Sequence, residues 1–296
     1  MYENSPISYR WIVIVSVVCL FISAIQLTRG YIEKNSGRVV FCDVGQGDGA
    51  YIRTPTGIDV VVDAGPDNRI LSCLGRNMPL FDKTIEYAFL SHPHFDHYGG
   101  FLGVAQNYRI ERFYISSGET NSKSYAQLKA LLFEDRTIVS TITAPQQIEL
   151  DSVTSLDFLW PSTGLVSGDL NEHSQVFLLN FQNYRFLFAG DVSPFVLSVL
   201  AQNNPSTLQN VDVLKVPHHG SQNGLTYDFL NLADPTLSVI SVGMKNRFNH
   251  PSKATLDYFK ALGKKFYMTR DRGDITITID EDGLAVAGQD GLRERL

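Results

Sequence analysis

The sequence predicts a mixed α/β sandwich, with two hairpin-rich sheets inside and helices outside. Three observations predict it. Short apolar runs recur through residues 38–280 and are broken by glycine- and aspartate-rich turns, the pattern of strands bounded by turn residues. Segments with helical spacing fall between them, at 101–108, 124–133, 194–201, 225–232 and 253–262. Polar residues gather where apolar runs give out, which is where a layered α/β domain places its site.

Composition is that of an ordinary globular protein, 44% hydrophobic and 19% charged. The 296 residues suffice for one large domain with a substantial core, or two small ones. A net charge of −6 argues against a broad basic face that grips duplex DNA. It does not exclude a nuclease, because bound metal cations supply local positive charge. Cysteines occur only at 19, 42 and 73, too few for a disulfide framework. Cys42 and Cys73 are expected as packed free thiols, with a disulfide between them as the alternative.

Residues 11–27 carry no charge and lie between Arg10 and Arg29. This is the short end for a membrane span. The expectation is one N-terminal anchor over residues 1–30, leaving the following domain outside the cytosol; a cleaved signal peptide and secretion is the alternative. A linker at 31–37, a main domain at 38–285 and a tail at 286–296 complete the division, with the chain after Asp280 expected to be loosely ordered. Within the domain, strands are expected at 39–42, 50–53, 58–62, 85–91, 110–115, 137–142, 154–160, 175–181, 185–189, 211–216, 237–242, 265–268 and 274–279.

The densest chemistry is Ser91-His92-Pro93-His94-Phe95-Asp96-His97, directly after the apolar run 85–90 and before Tyr98-Gly99-Gly100. Imidazole and carboxylate suit borderline divalent metals. Residues two apart in an extended segment point the same way, so His92 and His94 can grip one ion together. Asp96 and His97, where the chain bends, can turn toward a second. Asp191 ends the apolar run Phe186-Leu187-Phe188-Ala189-Gly190, a costly place for an unpaired carboxylate. It is expected to bridge two ions, against capping the helix that follows. Asp63 ends Val60-Val61-Val62 and is expected to orient a histidine ligand, against forming a turn. His218 and His219 point in different directions, so one can be a ligand while the other faces the substrate; spacing does not say which. His173 could complete the first ion's set, against being a solvated loop histidine. His250 could reach into the cleft or sit beside a helix cap. Two ions sharing a carboxylate lower the pKa of a bound water, so that hydroxide exists near neutral pH. No serine nucleophile is needed: Ser221 lies beside the histidines with no base and orienting acid assignable to it.

These residues resemble a known family. His92-Pro93-His94-Phe95-Asp96-His97 is similar to the His-x-His-x-Asp-His signature of the metallo-β-lactamase fold, and Asp63, Asp191 and the late histidine follow in that fold's order. More narrowly, Asp43-Val44-Gly45-Gln46-Gly47-Asp48, Asn171-Glu172-His173-Ser174 and Leu214-Lys215-Val216-Pro217-His218-His219-Gly220-Ser221 resemble the C-terminal hydrolase domain of ComEC-type competence proteins. The resemblance covers about residues 38–280. It implies a four-layer αβ/βα sandwich with metals at the edge between the sheets, here preceded by one apolar helix. It also implies phosphodiester hydrolysis, with DNA as the substrate to suspect. In that family the domain follows many membrane helices, whereas one apolar segment precedes it here, so DNA import by this chain alone is not expected. Many such domains also lack a histidine near His173.

The leading expectation is a membrane-tethered, metal-dependent hydrolase of phosphodiesters. His92, His94 and His173 would hold one ion, and Asp96, His97 and His219 the other, with Asp191 bridging. Asp96 and His218 would carry the reaction, His218 steadying the leaving oxygen. Ser221 and His250 would line the cleft. Mixed nitrogen and oxygen ligands suit zinc first, and manganese or iron also. The partners implied are a nucleic acid or small phosphodiester and the membrane; no protein partner is inferable. No basic tract with interleaved aromatics is present in the sequence, and Lys215, Lys245 and Arg247 are the candidates for a local phosphate contact. The same centre could act on a small ester, lactone, β-lactam or phosphocholine group. A tethered, non-catalytic binding domain is the reading of another class.

Overall fold

The computed structural model describes residues 9–35, 37–280 and 282–296. The chain lays down β1 (Arg38–Phe41), β2 (Gly49–Arg53), β3 (Asp59–Ala64), β4 (Thr84–Leu90), β5 (Arg109–Ile115) and β6 (Ile138–Thr141) as one continuous sheet. It then crosses to a second sheet, built in order from β7 (Gln146–Asp151), β8 (Thr154–Trp160), β9 (Val176–Phe181), β10 (Tyr184–Phe188), β11 (Val213–Lys215), β12 (Leu237–Ile240) and β13 (Phe266–Met268). It returns to the first sheet with β14 (Ile275–Asp280), β15 (Gly283–Gly288) and β16 (Arg293–Arg295), where β14 pairs with β1. Each sheet is antiparallel on one side and parallel on the other: β3 to β6 run parallel, as do β10 to β13.

Alternation along the strands makes the layers. On β1, Val39 and Phe41 face the other sheet, while Val40 faces the helices, the period of two of a pleated strand. The inter-sheet core is closed by aromatic rings from both sides, with Phe41 and Phe188 at 5.7 Å and Phe177 and Phe188 at 5.0 Å between centroids. Helices Arg69–Asn77, Phe101–Asn107 and Lys123–Glu134 bury Ile70, Leu74, Val104 and Leu128 on the outer face of the first sheet. Helices Pro194–Asn203, Tyr227–Ala233 and Lys253–Leu262 bury Leu197, Leu200, Leu230 and Phe259 on the outer face of the second. The result is the four-layer αβ/βα sandwich.

Three expectations are corrected. The tail is not loose: β15 and β16 pair in register with β14 and with each other, and Leu284 and Val286 are buried in the inter-sheet core. Cys42 and Cys73 are not free thiols but a disulfide, with Cα atoms 5.8 Å apart; it ties the end of β1 to helix Arg69–Asn77, which sequence spacing did not reveal. Residues 31–35, expected as linker, continue the helix Tyr9–Asn35. Trp11, Ile12, Leu20 and Phe21 of that helix are exposed. Among the described residues, no helix is long and apolar enough to cross a membrane.

Candidate metal centre

The site forms where the parallel strands of both sheets end. β3 delivers Asp63, β4 delivers Ser91 and the histidine motif, and the stretch after β10 delivers Asp191. A short turn of helix, Pro217–Gly220, follows β11 and delivers His218 and His219. Both of those histidines sit in the left-handed region, at φ 51° and 53°, a strained geometry of the kind kept at functional sites. Pro93 and the helix Phe95–Tyr98 turn the chain between His94 and His97, and the turn folds the motif's second half back on its first, with the rings of His92 and His97 4.2 Å apart.

Asp191 is free of capping duty. The helix after it is capped by the Ser193 hydroxyl, which accepts from the Val196 amide. The Asp191 carboxylate instead turns inward, with Oδ2 lying 3.4 Å from His97 Nε2 and 3.4 Å from His219 Nε2. Gly190 makes this entry possible: at φ +49°, a Cβ there would lie 2.7 Å from Ser174 Cβ. His92 Nε2 and His94 Nδ1 approach to 2.9 Å. Asp96 Oδ2 lies 3.6 Å from His219 Nε2. Asp63 accepts from the Ser91 amide (2.8 Å), the Ser91 hydroxyl (2.7 Å) and His97 Nδ1 (2.9 Å). His97 thereby presents Nε2 to the cluster.

Four overlapping groups of donors therefore meet here among the described residues: His92, His97 and Asp191; Asp96, His97 and His219; Asp48, Asp191 and His219; and Asp48, Asp63 and His97, with His94 in none of them. Four buried atoms in or beside them, His97 Nε2, His219 Nε2, Asp191 Oδ1 and Asp48 Oδ1, have no hydrogen-bond partner. Buried polar atoms without partners are costly, and a set of imidazole and carboxylate atoms converging in this way fits divalent cations.

Electrostatics follow from the same packing. Burial opposes charge on His97, but Asp191 and Asp63 outweigh it and hold its pKa well above the ordinary histidine value. Burial likewise opposes charge on His219, where Asp191 and Asp48 prevail. Asp191 is held well below the carboxylate range, its burial outweighed by His219 and His97. His92 goes the other way, pushed down by burial and by the positive His97 beside it. His250 falls to about 4 through burial, with His219 and His218 adding to the effect.

Other expected residues are placed differently. His173 is buried, but Ser117 Oγ lies 2.8 Å from its Nδ1 and the Ser167 carbonyl oxygen 3.1 Å from its Nε2. It belongs to none of the donor groups found among the described residues. His218 is partly exposed, with Nε2 3.9 Å from Asp191 Oδ2, and its ring lies 5.9 Å from that of His250. Ser221 is buried, its hydroxyl accepting from the Asn223 amide. Lys215 offers no phosphate contact, because it is buried and its Nζ donates to Asp48 Oδ2 (2.6 Å) and the Val216 carbonyl (3.0 Å). Asp48 and Ser91 were assigned no role from the sequence. Asp48 stands at the end of a glycine-rich loop that feeds a strand, which is the signal that could have found it.

A cleft of about 650 Å³ opens beside Asp96. Loops far apart in sequence bring Arg69, Lys245, Arg247 and Arg270 to its walls, together with the exposed rings of Phe95 and Phe248. Arg69 is paired with Asp67.

The pattern of the metallo-beta-lactamase superfamily matches residues 42–243. The chain is 22% identical over 265 residues to ComE operon protein 3 of Bacillus subtilis, covering 82% of this chain and 33% of that protein. It is 25% identical over 263 residues to Recombination protein 2 of Haemophilus influenzae, covering 86% and 30%. The chain thus spans about a third of the length of the curated relatives it matches. Among solved structures it is similar to the metallo-beta-lactamase fold protein YhfI of Bacillus subtilis, with TM-score 0.54, 10% identity, and 81% of this chain and 99% of that one covered. It is also similar to Zn(2+)-bound PqqB of Methylobacterium extorquens, with TM-score 0.52, 12% identity, and 78% and 97% covered. At such identities these structures speak for the fold alone.

Proposed function

The chain belongs to the metallo-β-lactamase superfamily, and from that premise we propose that it is a metal-dependent phosphodiester hydrolase acting on a nucleic acid strand. The observation that carries the reading is the cleft beside Asp96, whose walls hold Lys245 and Arg247, the ion-paired Arg69 and Arg270 and two exposed rings, with Asp43 as the other acidic residue there. Phosphates suit the guanidinium and ammonium groups, and unpaired bases stack on exposed rings. The likeness to Recombination protein 2 and to Competence protein ComA of Neisseria gonorrhoeae supports the same substrate.

In this reading His92, His94, Asp96, His97, Asp191 and His219 hold two divalent ions, zinc or a similar metal. Bound there, the ions supply electrophilic stabilisation of a phosphoryl group and a water of lowered pKa. The protein's own part is positional. Asp63 fixes the ring of His97 through Nδ1, and Asp191 lies between the two histidines it faces. His218, partly exposed beside Asp191, donates a hydrogen bond from Nε2 to the leaving oxygen. The buried Cys42–Cys73 disulfide supports an oxidising compartment outside the cytosol for this domain.

The test is to assay the full chain with zinc or manganese on single-stranded DNA, duplex DNA, a chromogenic phosphodiester and a lactam, with Asp191→Asn as control. Cleavage of single-stranded DNA that is lost in Asp191→Asn supports the proposal. Turnover of the lactam alone would replace it with small-molecule hydrolysis, and metal binding without any turnover would replace it with a binding role.

A further inference from the structure

Asp48 is joined to the loops that carry Asp63 and Asp96 on the first sheet and to Lys215 and His219 on the second. Its backbone amide donates to the Asp96 carbonyl (3.2 Å), and its carbonyl accepts from the Gly65 amide (2.7 Å), just beyond Asp63. Its side chain reaches the other sheet, where Oδ2 accepts from Lys215 on β11 and Oδ1 lies 3.0 Å from His219 Nδ1. The His219 Nδ1 proton is directed at the Ser241 carbonyl (3.1 Å). No hydrogen bond reaches Asp48 Oδ1, so its contact with the ring is that of a charge pair. All three side chains are buried.

The arrangement repeats one already described. Asp63 lies against Nδ1 of His97 and Asp48 against Nδ1 of His219, while both rings turn Nε2 toward Asp191. A carboxylate behind a ligating imidazole fixes the ring and strengthens the nitrogen that faces the ion. Asp48 differs in having a buried ammonium beside it. Lys215 occupies one carboxylate oxygen and compensates its charge, which leaves the other facing the ring.

We propose that the Asp48–Lys215 pair is a positioning device for His219, setting that ring for the ion it shares with Asp96, and that Asp48 is not itself a ligand. The inference rests on the metal-centre reading above.

It is tested by titrating the full chain with zinc, and separately with manganese, following heat and stoichiometry. Thermal unfolding is recorded for the same samples. The variants are Asp48→Asn, Lys215→Met, the double variant carrying both, and His219→Ala. Either single variant leaves a buried group without its partner and loses thermal stability, and the double variant recovers it. Binding of one of the two ions weakens 10- to 100-fold in Asp48→Asn and in the double variant alike, while the other ion binds within a few-fold of the parent. Parental affinity for both ions in the double variant would show the pair to be structural only and overturn the inference. Loss of an ion as complete as in His219→Ala would make Asp48 a ligand and overturn it as well. A parent chain that binds neither metal overturns the metal-centre reading, and this inference with it.

Discussion

One oxygen of Asp191 stands at equal distance, 3.4 Å, from Nε2 of His97 and Nε2 of His219, residues that come from different sheets. Replacing Asp191 by Asn keeps the shape and removes the charge. The expected outcome is loss of at least one bound ion and a fall in phosphodiester turnover of about 100-fold or more, in line with removal of a main electrostatic element. Metal content by mass spectrometry and single-turnover cleavage measure the two effects, and unchanged circular dichroism confirms the fold.

Gly47 comes so close to the loop that carries Asp96 that a Cβ on it would lie 2.2 Å from the Asp96 carbonyl oxygen, and its φ is +145°. Gly47→Ala is therefore expected to cost about 2–4 kcal/mol, the range of severe backbone and packing errors, and to weaken metal binding by displacing Asp96. Chemical denaturation gives the first quantity. An alanine variant as stable as the parent would remove the argument.

The pH dependence has a definite sign. In the metal-free chain the pKa values of His97 and His219 are raised well above the ordinary value by Asp191, with Asp63 and Asp48 assisting. Their contribution to stability is complete below the unfolded histidine pKa of about 6.5. It is lost as pH rises through the raised values. A divalent ion needs the same nitrogens deprotonated, so its affinity rises with pH and binding releases protons, on the order of one or two per chain. Calorimetry in buffers of different ionisation enthalpy reads the release; a binding heat independent of buffer would contradict it.

His173 and His92 are both buried with a neighbour at each ring nitrogen, but only His92 stands in a donor group, with His97 and Asp191. His173 has neighbours at both ring nitrogens, Ser117 and Ser167. His173→Ala is expected to retain the parent's metal content and to lose about 1–3 kcal/mol of stability, the cost of leaving buried partners unpaired. His92→Ala is expected to lose an ion. Equal metal loss in both would return His173 to the ligand set.

Cys42 and Cys73 close a loop with a sequence separation of 31. Replacing both by Ser is expected to lower stability by about 3–4 kcal/mol on the loop-entropy estimate, and a reductant should shift the parent's unfolding midpoint in the same direction. The Ser variant should be indifferent to the reductant.

Much of this was legible in the sequence because strand ends announce themselves. An apolar run that stops at Asp63, Ser91 or Asp191 marks both the sheet and the site, and every strand from β1 to β14 except β7 lies at or within a few residues of its expected place. β7 escaped because its exposed and buried residues mix with charged ones, as in Gln146-Gln147-Ile148-Glu149. β15 and β16 escaped because small residues such as Ala285 and Ala287 carry little strand signal alone and gain it by pairing with β14. Asp48 and the cationic cleft escaped for another reason. Their partners lie far along the chain, with Asp48 and Lys215 separated by 167 residues, and no local pattern encodes such a meeting.

That separation has a consequence of its own. His92, Asp96 and His97 follow strands of the first sheet, Asp191 and His219 strands of the second, so the residues proposed to hold the ions are divided between the two sheets. An ion held there acts as a latch across the seam: it can close only when both halves have docked, and it must be released before they part. By mass action its affinity adds directly to the stability of the joined state. Chelation should therefore act on the whole molecule, lowering its unfolding temperature, rather than on one loop.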